Sequence, residues 1–124
     1  MTTVLVVDDS PMDRLAAGRF LQKAGFSVRY AENGNEALKS IAEALPAVVV
    51  TDMQMPELDG LELVSAIRAR FPTVPVILMT AHGSEELAVK ALQRGAASYV
   101  PKRVWAQELV PTVNNVLELI QATH

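Results

Sequence analysis

The 124-residue sequence predicts a three-layer α/β domain in which a five-stranded parallel sheet is covered by helices on both faces. Three observations carry this expectation. Short β-branched apolar runs, such as residues 3–7 (TVLVV) and 47–51 (AVVVT), show no polar alternation, as in strands buried on both faces of a parallel sheet. They alternate along the chain with longer stretches of helical period. The length matches one ordinary domain (residues 1–124) that can bury a single core without staples.

Composition narrows the function. Half the residues are hydrophobic and a fifth charged, which is globular rather than disordered. The net charge of -3 argues against a broad basic face, so no direct nucleic-acid binding is expected. No run approaches the roughly 18 apolar residues of a membrane span, and the N-terminus MTTVLVVDD is not a signal peptide, so a cytoplasmic location without membrane attachment is expected. With no cysteine, disulfides and thiolate metal sites are excluded.

The first strand, 3–7, ends in Asp8-Asp9, and Ser10-Pro11-Met12-Asp13 then opens a helix. Ser10 is the expected N-cap, Pro11 the first helical residue, and Asp13 the acid of a capping box. This helix should reach about residue 24, where Gly25 stops it, with Met12, Leu15, Ala16 and Phe20 facing the sheet. Residues 27–31 (SVRYA) alternate like an edge strand, Asn33 and Glu36 open the second helix, and Pro46 closes it. The strand at 47–51 is central and runs into Asp52.

The turn-rich MQMPELDG leads to a third helix at about 61–70, and Pro72 and Pro75 bracket the connection into a strand at 76–79, followed by Thr80. Gly83-Ser84 caps a fourth helix whose stripe is Leu87, Ala88, Ala91 and Leu92, ending at Gly95. A short strand near 97–100 precedes Lys102. The last helix shows Leu109, Val113, Val116, Leu117 and Ile120 at spacings of three and four. Either it begins near Pro111, where a missing N–H costs nothing, or a short turn from about Ala106 is kinked into it. Right-handed crossovers with the first strand central allow the flavodoxin-like order 2-1-3-4-5.

Asp8, Asp9, Asp52, Thr80 and Lys102 all fall at or just past strand ends, and in an open parallel sheet the carboxyl ends of the strands share one crevice. In that order the three aspartates converge. Two carboxylates 4 Å apart repel by about 4 kcal/mol at an effective dielectric of about 20, so a cation must offset them. A hard ion such as Mg²⁺, with Mn²⁺ as a substitute, takes oxygen ligands and completes its shell with water or phosphate oxygens. A carboxylate can attack phosphorus to give an aspartyl phosphate, with Thr80 and Lys102 serving the phosphoryl oxygens. Taken singly, each residue also fits an ordinary turn or surface role.

The segments VLVVDDSPMDR, VVVTDMQMPELDGLELV, VPVILMTAHG and ALQRGAASYVPK, in this order, resemble the receiver domain of two-component response regulators over essentially the whole chain. The resemblance implies the CheY-like form of the flavodoxin-like fold. It implies Asp52 as phosphoacceptor, with Asp9, Asp52 and the Gln54 backbone carbonyl as direct metal ligands and Asp8 acting through metal-bound water. It further implies Thr80 as the switch hydroxyl and Tyr99 as an aromatic switch, reported through the face formed by the fourth helix, fifth strand and fifth helix. The implied partners are a sensor histidine kinase or phosphotransfer protein and an unknown downstream protein, with the chain a monomer or a phosphorylation-promoted dimer that catalyses only its own phosphorylation and dephosphorylation.

Three features depart from the pattern. Related receivers usually carry Lys-Pro with a cis bond, whereas this chain has Pro101-Lys102-Arg103. Pro111 falls in the last helix near Trp105, which is either core packing or a partner anchor. Gln54 and His82, each two residues past a site residue, are placed to set the lifetime of the phosphoryl group. The competing readings are a phosphorylation-independent pseudo-receiver that acts as an interaction module, an aspartyl phosphatase, and a flavodoxin. The phosphatase lacks its D-x-D, since Asp9-Ser10-Pro11 follows the strand, and the early acids would repel FMN phosphate.

Overall fold

A computed structural model of the chain describes residues 2–81 and 85–122. Its elements are β1 (Thr3–Val7), α1 (Pro11–Lys23), β2 (Ser27–Ala31), α2 (Gly34–Glu43), β3 (Val48–Asp52), α3 (Gly60–Arg70), β4 (Val76–Thr80), α4 (Glu85–Gln93), β5 (Ser98–Pro101) and α5 (Trp105–Ala122), with a 3-10 turn at Lys102–Val104. The sheet runs β2-β1-β3-β4-β5 with every neighbouring pair parallel, the order expected from sequence. The chain reverses its direction of strand addition between β1 and β3, so a crevice opens at their carboxyl ends.

Unalternated strands fill two cores because successive side chains point to opposite faces. Leu5, Val7, Val49 and Leu78 pack with Ile41, Leu63, Ile67 and Ala91 on one side. Val4, Val6, Val50 and Met79 pack with Leu21, Leu109 and Val113 on the other. Glycines in the left-handed region, Gly25 (φ 96°) and Gly95 (φ 108°), let the chain turn after α1 and α4 at little steric cost.

Several local expectations change. The buried stripe of α1 is Ala17, Gly18 and Leu21, while Met12 and Leu15 are exposed. The true stripe begins one turn earlier at half-buried Asp13 and Arg14, polar residues that conceal the period. The capping box of α1 does not close. Ser10 Oγ accepts from the Asp13 N–H at 3.4 Å, but the Ser10 N–H donates to Asp8 Oδ1 at 2.9 Å, and the Asp13 carboxylate turns elsewhere. The complete box is at α3, between Asp59 and Glu62.

Leu92 of α4 is exposed, and the expected Gly83-Ser84 cap lies outside the described residues. α5 is continuous from Trp105, with Pro111 inside it. The helix therefore does not begin at Pro111 but about a turn and a half before it, near the expected Ala106, and Pro111 and Gln107, whose carbonyl loses an i→i−4 donor, are both on the exposed face where water can serve that carbonyl. Trp105 packs edge-on against Phe20, ring centroids 5.7 Å apart, and joins the α1/α5 core as packing rather than as a projecting anchor. Among the described residues no peptide bond is cis, and Pro101 leads directly into the turn that carries Lys102.

Candidate functional site

The site is assembled by register. Val7 pairs with Thr51, and Asp52 pairs with Met79, so the residues that end β1 and β3 lie side by side. The Asp8 N–H donates to the Ala31 carbonyl at 3.1 Å, which extends the sheet to the first acid. Asp8 is fully buried, Asp52 is 8% exposed, and Asp9 is exposed. One carboxylate oxygen from each lies within 4.8 Å of the others.

Gly60 closes the next loop onto this end of β3. Its N–H donates to the Met53 carbonyl at 2.8 Å, and a Cβ there would sit 2.7 Å from the Asp52 carbonyl oxygen and 2.8 Å from the Met53 Cα. Only a hydrogen fits. Glu57, in the left-handed region at φ 67°, completes that loop.

Lys102 enters from the turn after β5. Its Nζ lies 2.9 Å from Asp8 Oδ2, 2.8 Å from Asp13 Oδ2 and 3.1 Å from Asp52 Oδ1. An ammonium has three N–H donors, and three carboxylates surround this one. The Trp105 ring centroid lies 5.6 Å from the same nitrogen. These groups border a cavity of about 290 Å³ lined also by Asp9, Ser10, Met53, Gln54 and Ala81. A neighbouring cavity of about 590 Å³ shares Asp9, Met53 and Gln54 and runs past Pro56 and Asp59 to Leu61 and Leu87.

The charge balance remains negative. Burial, and then the nearby Asp8 charge, push the Asp52 carboxyl up to about 6, although Lys102 pulls the other way. Burial also opposes the charge on Lys102, but hydrogen bonds to Asp13 and Asp8 outweigh it and hold the ammonium above the usual lysine range. An all-oxygen donor set with surplus negative charge fits a hard divalent cation.

Of the expected residues, Asp8, Asp9, Asp52, Gln54 and Lys102 meet at one cavity. Thr80 is buried at the end of β4, one strand from Asp52, but is not among the lining residues. Tyr99, in β5, is 37% exposed and is not among the residues that line the site cavity. His82 lies outside the described residues. Sequence reasoning missed Asp13 as an ion-pair partner, and Arg14, whose Nη1 donates to the Asp8 carbonyl at 2.8 Å. The available signal was position: both residues extend the Ala17–Leu21 stripe one turn toward the strand ends.

A parallel α/β sheet with three acids and a lysine at its switch point defines a class, the acidic receivers of the flavodoxin-like fold. The chain belongs to the response regulator receiver domain family, whose model matches residues 4–114. It is 42% identical over 118 residues to the DNA-binding transcriptional regulator NtrC of Salmonella typhimurium, covering 95% of this chain and 25% of that protein. It is 38% identical over 121 residues to the nitrogen assimilation regulatory protein NtrX of Azorhizobium caulinodans, covering 95% of this chain and 26% of the relative. The chain thus spans about a quarter of the length of these relatives. Among solved structures, a response regulator receiver domain protein from Clostridium thermocellum superposes with a TM-score of 0.93 at 31% identity over 100% of both chains. NtrX from Brucella abortus superposes with a TM-score of 0.94 at 32% identity, over 99% of this chain and 28% of that one.

Proposed function

We propose that the chain is a phosphorylation-switched signalling receiver in which Asp52 accepts a phosphoryl group. The observation that carries this reading is the setting of Asp52, which is buried at the switch point, 3.1 Å from the Lys102 ammonium and grouped with two further carboxylates. The donor is a sensor histidine kinase or phosphotransfer protein, or a small phosphodonor, and the chain works in the cytoplasm. It catalyses only its own phosphorylation and dephosphorylation.

In the transfer, an Asp52 carboxylate oxygen forms a bond to phosphorus as the donor's P–N bond breaks, and the electron pair of that bond returns to the donor imidazole nitrogen. Lys102 is placed to pass a hydrogen bond from Asp52 to a phosphoryl oxygen. Asp9, Asp52 and the Gln54 carbonyl would hold Mg²⁺, or Mn²⁺ in its place, with Asp8 acting through its water. When bound, that ion neutralises charge on the carboxylates and phosphoryl oxygens. Later attack by water on phosphorus restores the carboxylate and releases inorganic phosphate. The side chains of Gln54 and His82 set how readily that water arrives.

Switching follows from differential contacts. The Thr80 hydroxyl, one strand away, moves to donate to the phosphoryl group, and the exposed Tyr99 side chain turns inward. The face of α4, β5 and α5 then presents a changed surface to a downstream protein or to a second copy.

Intact-protein mass after incubation with acetyl phosphate and Mg²⁺ tests the reading. A base-labile gain of about one phosphoryl group is expected, absent in Asp52→Ala and with EDTA. No gain in folded protein, with either acetyl phosphate or a phosphorylated kinase domain as donor, would replace this reading with a phosphorylation-independent interaction module.

A further inference from the structure

Asp13 stands apart from the other acids of the site. It belongs to α1 rather than to a strand end, and it is not one of the three aspartates whose oxygens converge to within 4.8 Å. Yet at 2.8 Å it makes the shortest of the three contacts to Lys102 Nζ, and it lines the same cavity. Its direction is no by-product of capping, because Asp8 Oδ1 already accepts the Ser10 N–H that a capping-box acid would take.

We propose that Asp13 is a positioning residue: its carboxylate holds the Lys102 ammonium at the margin of the acidic cluster, facing the phosphoacceptor but outside the oxygens that would hold the cation. The inference rests on the phosphoacceptor reading of Asp52. It explains how a lysine followed by Arg103, in a chain without the Lys-Pro pair of related receivers, keeps a defined place. Asp13 and the Trp105 ring constrain it from the α1 and α5 sides.

The three-point arrangement also has a consequence for transfer. As the Asp52 oxygen bonds to phosphorus and the donor bond breaks, one Lys102 N–H passes from Asp52 to a phosphoryl oxygen while those to Asp8 and Asp13 persist. Without Asp13, both remaining carboxylate partners, Asp8 and Asp52, belong to the cation cluster. The ammonium would then settle among those oxygens and compete with the ion. An ion pair whose acid is 40% exposed contributes little to folding, so the effect belongs to the site rather than to stability.

The test compares wild type, Asp13→Ala and Asp13→Glu. Mg²⁺ affinity is read from the fluorescence of Trp105, the one tryptophan of the chain, and the phosphorylation rate from intact mass with acetyl phosphate at saturating Mg²⁺. The alanine variant is expected to bind Mg²⁺ more weakly and, at saturation, to be phosphorylated about 10-fold or more slowly, as when an outer-shell partner is lost. The glutamate variant should recover part of that rate. An unchanged rate at saturating Mg²⁺, even with weaker affinity, would reduce Asp13 to one negative charge among several and overturn the proposal. A wild type that neither binds Mg²⁺ nor gains a phosphoryl group would instead sink the receiver reading and this inference with it.

Discussion

At Asp52, burial and the Asp8 charge act in the same direction, so ionising this group works against the metal-free fold. Its pKa rises from 3.8 to about 6 on folding. Between those values the folded chain binds more protons than the unfolded one, so metal-free stability falls as pH rises through that window and then stays low. At 1.36 kcal/mol per pKa unit the loss is about 3 kcal/mol at most. Asp52→Asn removes the charge and keeps the shape, while Lys102 retains Asp8 and Asp13. Urea unfolding in EDTA at pH 7.5 should therefore show Asp52→Asn more stable than wild type by about 1–3 kcal/mol, with the gain shrinking toward pH 4. A variant of equal or lower stability at pH 7.5 would mean that Lys102 already compensates the charge.

Helices bring the site together, and two of them carry local costs. Gly60 opens α3, where the approach of the Asp52 carbonyl leaves no room for a side chain. The loop carrying Gln54 is thereby tied to the backbone of Asp52 and Met53. In α5, Pro111 is the seventh of 18 residues and cannot donate to the carbonyl of Gln107. An interior proline costs about 3 kcal/mol in an exposed helix, lessened here because packing of Leu109, Val113 and Val116 holds the helix regardless. Pro111→Ala should raise the urea midpoint by an amount worth about 1–3 kcal/mol without altering phosphorylation. A lower midpoint would show that the proline ring makes packing contacts that outweigh the missing hydrogen bond.

Across the whole molecule, the divalent cation and the fold should be linked, because an ion that binds only the assembled cluster stabilises the folded state by RT ln(1 + [L]/Kd). Mg²⁺ should raise the thermal midpoint at pH 7.5, where Asp52 is ionised, by more than at pH 5, where the proton competes for it. Equal shifts at both pH values, or an equal shift in Asp52→Ala, would place the ion elsewhere. The fold itself was legible beforehand, since strands without polar alternation, bounded by Gly, Pro and helical stretches, leave few arrangements that bury both faces. Asp8, Asp9, Asp52 and Lys102 were legible for the same reason: strand ends of a parallel sheet open onto one crevice. The sequence by itself thus determined the layers and the acids at the strand ends, and it allowed the strand order that the resemblance to receivers implies. Only the tertiary structure decided which face of α1 is buried, that α5 runs unbroken through Pro111, and that Asp13 serves Lys102 rather than its own helix cap. Each of these depends on partners distant in sequence, and local propensities worth about 1 kcal/mol yield to contacts formed only when the layers close.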